Sequence, residues 1–412
     1  MSNVYSMPPR ASGGDAPAPG FSSVDEILAE LRAGRMVIIL DDEDRENEGD
    51  FIMAAEHATP EAVAFMIRHS SGILCVPMED EHLARLDLPQ MVPNNDEAYR
   101  TAFTVSVDYR FGTTTGVSST DRSVTIKALA DPKSAPADFA RPGHIFPLRP
   151  RPGGVLVRAG HTEAAVDLCK LAGLRPVGVL CELMNDDGSM ARRPQLEAFA
   201  RTHNLRIGTI ADLIRYRLRN ERSVERVSEQ SVQTEYGEFR LYAYEDHVQR
   251  GVHLALAHGV LDGKTPPLVR VHVTDTLRDL LGVRGDPHAW TLRAALERIA
   301  HAGSGVVVIL RDQETAAELT EALRVLRAPD AKAGEGAASS SATPAGHPAT
   351  APVAHTTPAV TPGGQVLRTY GVGAQILKDL GVKRMRVLSA PKQMHGISAF
   401  GLEIDGYVGE GT

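Results

Sequence analysis

The chain has 412 residues, a net charge of −8, and 42% hydrophobic and 23% charged residues. That length fits two domains of roughly 100–200 residues each, and the composition is ordinary for a globular chain. The acidic balance argues against a nucleic-acid-binding face, which needs clustered Lys and Arg, and no apolar run approaches the ~20 residues that span a bilayer. Neither nucleic acid nor membrane is therefore expected as a partner. The cysteines Cys75, Cys169 and Cys181 form no disulfide framework. With no apolar signal-like segment at the N-terminus, they read as reduced thiols of a cytoplasmic protein.

Residues 1–21 read as a disordered tail. Ser23 then opens a capping box with Glu26, and Ile27, Leu28 and Leu31 share one helical stripe. Further along, strands are expected at Met36–Leu40, Phe51–Ala55, Ile73–Pro77, Phe103–Val107, Val155–Val157 and Pro176–Leu183. A helix should begin at Pro60, behind Thr59. Others are expected over Asp121–Ala130, Thr162–Ala172, Pro194–His203 and Ile210–Arg219. This mixture predicts an α/β (α+β) domain over residues 22–219. Residues 220–235 are polar without a core pattern and read as a linker. A second α/β domain should fill 236–412, with strands at Gly237–Tyr244, Gly251–Ala257, Leu268–Val273 and Gly305–Leu310 and a helix at Thr291–Ala302. Within it, residues 331–364 are almost wholly Ala, Ser, Thr, Pro, Gly and His. Such a segment buries too little apolar surface to offset its ordering entropy, and reads as a disordered insertion.

Four segments of the first domain carry chemistry. Asp41–Asp50, DDEDRENEGD, has seven acidic residues in ten. Acidic runs are ordinarily solvated faces. This one follows a buried strand, embeds Arg45 among carboxylates, and allows a tight turn at Gly49. Carboxylates on such a turn suit magnesium, which takes few protein ligands. The second segment, Arg158-Ala159-Gly160-His161-Thr162-Glu163, opens a helix that Thr162 could cap, and its free N–H groups with Arg158 suit a sugar phosphate. A histidine at a helix start is more often structural, but His161 has the acidic run for company. The third, Arg141–Leu148, reads as a rigid loop presenting His144. In the fourth, Glu182 ends an apolar strand, where a carboxylate needs a partner or a role in proton transfer.

DDEDRENEGD, RHSSGILCVPM, TTTGVSSTDRSVTI, RPGHIFPL, RAGHTEAAVDL and GVLCELMNDDGSMAR occur in this order over residues 22–219. This stretch resembles the 3,4-dihydroxy-2-butanone 4-phosphate synthases, lyases that convert D-ribulose 5-phosphate to 3,4-dihydroxy-2-butanone 4-phosphate and formate in riboflavin biosynthesis. The resemblance implies a mixed-sheet domain acting as a homodimer, with two Mg2+ (or Mn2+) ions per site. It implies metal ligation by Glu46 and His161, with Glu46 bridging the ions. Substrate contacts are implied for Arg45, Glu46, Asp50, Cys75, Arg158, Ala159, Gly160, His161, Thr162 and Glu182. His144 and Glu182 fall at the positions essential for catalysis, and Cys75 and Thr113–Asp121 on pocket-lining loops.

The C-terminal part resembles GTP cyclohydrolase II, most clearly at YGVGAQILKDLGVKRMRVLSAPKQMHGISAFGLE and more weakly at YGEFRLYAY and LVRVHV. That family holds zinc with three cysteines. No cysteine follows Cys181 here, and the corresponding loop reads TDTLRDLLGVRGDPHAW. The expectation is a cyclohydrolase-like scaffold without cyclohydrolase activity. The alternatives are a bifunctional enzyme and a module for oligomerisation or regulation.

Overall fold

The computed structural model describes residues 20–261, 265–283, 290–311, 319–320, 323–324, 362–389 and 400–409. In the first half, helices α1 (Val24–Arg32), α2 (Pro60–His69), α3 (Asp80–Arg85), α4 (Ser119–Ala130), α5 (His161–Leu171), α6 (Arg193–His203) and α7 (Ile210–Asn220) surround one sheet. Its strands are β1 (Val37–Leu40), β2 (Gly49–Ala54), β3 (Cys75–Pro77), β4 (Ala102–Phe103), β5 (Val107–Tyr109), β6 (Phe139–Arg149), β7 (Gly178–Glu182) and β8 (Ile207–Thr209). They run in the order β4-β6-β3-β7-β2-β1-β8, with β5 also paired to β6. α1 starts where expected, because Ser23 and Glu26 exchange both capping-box bonds. Its Ile27, Leu28 and Leu31 join one continuous core with β1, β2 and β7.

The second half builds a separate seven-stranded sheet. Its strands are β9 (Val224–Thr234), β10 (Gly237–Asp246), β11 (Gly251–His258), β12 (Leu268–Val273), β13 (Gly305–Leu310), β14 (Arg384–Leu388) and β15 (Glu403–Val408), in the order β15-β14-β12-β13-β11-β10-β9. Helices α8 (Leu292–Ala302) and α9 (Pro362–Asp379) accompany it. Two clusters of buried side chains form its core, one around Tyr244, Val308 and Ile376 and one around Trp290, Ile299 and Val307. The halves meet along α7 and α9. There the Gln375 amide donates to the carbonyls of Leu218 at 2.7 Å and Glu221 at 3.0 Å, and its oxygen accepts the Ser223 N–H at 2.9 Å.

Several expectations need correction. Residues 220–235 are not a linker: α7 runs to Asn220, and β9 follows as the edge of the second sheet. β9 is held by ladder bonds to β10 and by Arg226 on Asp379 and the Tyr242 ring. It therefore carries no apolar alternation to read. Phe21 belongs to the first core, under the Arg193 guanidinium, so order begins before residue 22. Residues 1–19 and 331–361 lie outside the described residues, but 362–364 form the first turn of α9. Val155–Val157 is not a strand. Gly153 and Gly154 take positive φ (95° and 64°), and a 3-10 turn follows, whose Val155 N–H is bound by Asp167. The strand expected over Phe103–Val107 divides into β4 and β5, because Thr104 turns its N–H and hydroxyl onto the Pro147 carbonyl. The segment expected as a loop around His144 is the long strand β6. Its prolines hide it, since they cannot donate to a ladder.

Candidate active site

A cavity of about 260 Å³ opens on one face of the first sheet. Strand register explains its floor. Asp50 pairs with Glu182, Cys75 with Leu180, and Phe103 with Leu148, and all six line the cavity. Alternation makes Leu180 and Glu182, two residues apart on β7, face the same way. Arg45, Glu46 and Glu48 come from the turn between β1 and β2, and Tyr99, whose hydroxyl donates to the Arg45 carbonyl at 3.2 Å, continues the lining to Thr101. Arg158, His161 and Thr162 enter at the start of α5.

The acidic turn is organised from within. The Asp41 carboxylate accepts the backbone N–H groups of Glu46 (3.1 Å) and Glu48 (2.8 Å) and pairs with Arg45 at 2.9 Å. Asn47 takes a left-handed conformation (φ 55°), which asparagine tolerates. At Gly49 a Cβ would stand 2.6 Å from the Leu196 methyl, so glycine lets β2 begin beneath α6. Arg45 also pairs with Glu46 at 2.9 Å and lies 5.1 Å over the Tyr99 ring.

His161 is buried. Its Nε2 bonds the Ile39 carbonyl at 3.0 Å, which turns Nδ1 toward Asp50 (3.6 Å) and Glu46 (3.9 Å). Burial pushes this imidazole down to about 4, against the pull of Asp41. The ring is thus neutral, as metal ligation requires. Burial also raises Glu46, and burial with the Glu182 charge raises Asp50 well above the carboxylate range. Asp50 Oδ1 is buried without a hydrogen-bond partner. Donor atoms of Asp41, Glu46 and His161 lie within 4.8 Å of one another. An imidazole, a half-buried carboxylate and an orphaned carboxylate oxygen fit a hard divalent cation. Asp41, overlooked within the acidic run, spends its oxygens on the turn and on Arg45, and acts as the organiser of the loop.

Glu182 is anchored from the turn after α2. Ser71 donates its hydroxyl to Glu182 Oε2 at 2.7 Å and its N–H to the Glu182 carbonyl at 2.9 Å. Arg158 pairs with the buried Glu163 at 2.7 Å and donates to the Thr101 hydroxyl at 3.1 Å. Gly160 caps α5 and Thr162 is a buried first-turn residue, so the expected Thr162 cap is replaced by the glycine backbone. A side chain at 160 would meet Arg158 Nη1 at 2.5 Å.

Two expected elements stand apart. His144 does not line this cavity. It precedes Phe146 by two residues on β6, so it faces the same side of the sheet at a distance from the floor. Its Nδ1 bonds Asp108 at 2.7 Å, and the side chain is 43% exposed. Thr113–Asp121 contributes no lining residue either. Asp121 instead accepts from Thr114 and Gly116, and the segment packs Gly116 against Asp108, beside His144. Ser71, Asp108 and Glu163 were not singled out in the sequence. Ser71 and Asp108 act on residues 111 and 36 positions away, while Glu163 holds Arg158, five residues before it in the same motif.

The profile of the 3,4-dihydroxy-2-butanone 4-phosphate synthase family matches residues 25–216, and that of GTP cyclohydrolase II matches 225–409. The 3,4-dihydroxy-2-butanone 4-phosphate synthase of Pseudomonas aeruginosa is 49% identical over 387 residues, covering 94% of this chain and 98% of that protein. A bifunctional chloroplastic riboflavin biosynthesis protein of Arabidopsis thaliana is 46% identical, covering 96% of this chain and 70% of that protein. The crystal structure of a two-domain 3,4-dihydroxy-2-butanone 4-phosphate synthase from A. baumannii superposes with a TM-score of 0.75 at 40% identity, covering 94% of this chain and 99% of that one. Fold and site together define a two-domain lyase of riboflavin biosynthesis. The chain belongs to the 3,4-dihydroxy-2-butanone 4-phosphate synthase family, with a C-terminal domain of the GTP cyclohydrolase II family.

Proposed function

We propose that the first domain converts D-ribulose 5-phosphate to 3,4-dihydroxy-2-butanone 4-phosphate and formate, in the cytoplasm. The observation that carries this reading is the convergence of Glu46, His161 and Asp50 Oδ1, a buried oxygen without a hydrogen bond, at one end of the cavity, with Arg158 and the start of α5 nearby. Glu46 and His161 would hold two divalent ions, magnesium or manganese. When bound, such ions stabilise negative charge developing on the sugar oxygens. Arg158 and the first-turn N–H groups of His161 and Thr162 at the start of α5 hold the phosphate. Arg45, Asp50 and Cys75 shape the sugar end. Glu182, on the cavity floor, carries the proton transfers that form the enediol and follow its dehydration and rearrangement, while His144, the second position implied as essential, lies outside this cavity in the single chain. Formate release from ribulose 5-phosphate tests this. Turnover should require added magnesium and stop in excess chelator, and unchanged turnover in chelator would overturn the metal assignment.

We infer a homodimer from the apolar side chains left open near His144. Phe111 is 58% and Ile73 48% exposed, and Phe111 packs on Tyr109, the neighbour of Asp108. Light scattering should give twice the 44.3 kDa chain mass, and a monomer would refute this reading.

For the second domain we propose a scaffold without GTP cyclohydrolase activity. The absence of any cysteine after Cys181 supports it, as does the pairing of its buried histidines with carboxylates, although His272 keeps a buried Nδ1 without a hydrogen-bond partner. His253 bonds Asp246 and accepts the Arg311 N–H, and His272 bonds Asp279. His288 lies outside the described residues.

A further inference from the structure

We infer that Ser71 is a positioning residue that fixes the Glu182 carboxylate, and this rests on the proposed role of Glu182 in proton transfer. Glu182 is the last residue of β7, with Leu183 and Met184 leaving the strand behind it. Its side chain is half-buried at the cavity floor, and a glutamate there has three rotatable bonds to settle. Ser71 settles them from the next strand connection. Its N–H holds the Glu182 carbonyl at 2.9 Å, so the two backbones are docked. Its hydroxyl oxygen accepts the Ile73 N–H at 3.3 Å. A hydroxyl has one proton to give, and of its two possible acceptors Glu182 Oε2 at 2.7 Å is a charged oxygen and far closer than the weakly accepting Cys181 sulfur at 3.4 Å, so the proton points to Glu182. The contact is a charge-assisted bond of the short, strong kind. One oxygen of the carboxylate is thereby occupied, and the other is left to the cavity.

Ser70 supplies an internal control. It likewise accepts a turn N–H, that of Gly72 at 3.1 Å, and meets the Cys181 sulfur, at 3.0 Å against 3.4 Å for the Ser71 hydroxyl. It touches no group assigned to the reaction. The two adjacent serines thus separate support of the turn from support of Glu182.

The test measures kcat and KM for formate release in Ser71→Ala, Ser71→Thr, Ser70→Ala and Glu182→Gln, and in Ser71→Ala combined with Glu182→Gln. Loss of an outer partner that orients a reacting group typically costs about 10–100-fold. Ser71→Ala should lower kcat by about that factor with KM within about twofold. Ser71→Thr should recover most of the loss, and Ser70→Ala should stay near wild type. In the Glu182→Gln background, Ser71→Ala should cost nothing further. Thermal melting separates misfolding from loss of positioning, and Ser71→Thr carries the test should the alanine variant melt early. Wild-type kcat in Ser71→Ala, or an equal loss in Ser70→Ala, would overturn the inference. Full activity in Glu182→Gln would instead remove the reading on which it rests.

Discussion

The two sheets carry similar residues to different ends. In the first, His161 spends one nitrogen on a backbone carbonyl and turns the other toward two carboxylates across an open cavity. In the second, His253 and Asp246 close on each other, with the remaining His253 nitrogen taken by the Arg311 N–H. His272 likewise lies against Asp279, which also holds the Asp275 N–H. Titratable residues are therefore no guide to chemistry by themselves. What distinguishes the first sheet is that Glu46, His161 and Asp50 Oδ1 gather at one cavity that a substrate can enter, whereas His272 Nδ1, also buried without a hydrogen-bond partner, belongs to a ring held only by Asp279 through Nε2. An exposed pair can be rearranged, but a buried carboxylate oxygen without a partner is costly and implies an absent one.

The largest break in this contrast should come from Glu46→Gln. It removes a charged donor at the convergence point, and losing several kcal/mol of charge stabilisation should cut formate release by on the order of a thousandfold. The fold should be unchanged by circular dichroism, and full activity at saturating magnesium would contradict the ligand assignment. A fragment of residues 1–220 should keep synthase activity, because every residue lining the cavity lies between Arg45 and Glu182. It should melt at lower temperature, since Leu218 loses its packing against Gly371 and its carbonyl loses Gln375. An inactive but folded fragment would show that the second domain shapes the site. The smallest effect concerns the thiols. All three cysteines are buried, and burial pushes Cys169 up to about 12 and Cys181 up to about 11. No thiol should react with Ellman's reagent at pH 8 until the protein is denatured, and rapid labelling would show an open Cys75.

The parts of this molecule legible in the sequence are those with local signals. The capping box at Ser23, the apolar runs of β1, β12 and β13, and the acidic turn all declared themselves within ten residues. The motifs carried the family further than periodicity could. The features that escaped depend on partners far along the chain. β6 was hidden by its prolines, and its strand character comes from β3 on one side and β4 and β5 on the other. β9 is polar because it is an edge strand, tied by Arg226 to Asp379, 153 residues away. Ser71 meets Glu182 across 111 residues. The separation of His144 from the cavity was equally invisible, since nothing in the sequence shows that β6 reaches the cavity at Leu148 and not four residues earlier.

The contrast between the two sheets is tested most directly on one purified sample, given ribulose 5-phosphate and GTP in separate reactions, with its metal content measured by mass spectrometry. The account predicts magnesium-dependent formate from ribulose 5-phosphate, no formate or pyrophosphate from GTP even with added zinc, and no stoichiometric zinc. About one zinc per chain, together with formate and pyrophosphate released from GTP, would contradict it and make the second sheet a catalytic site in its own right.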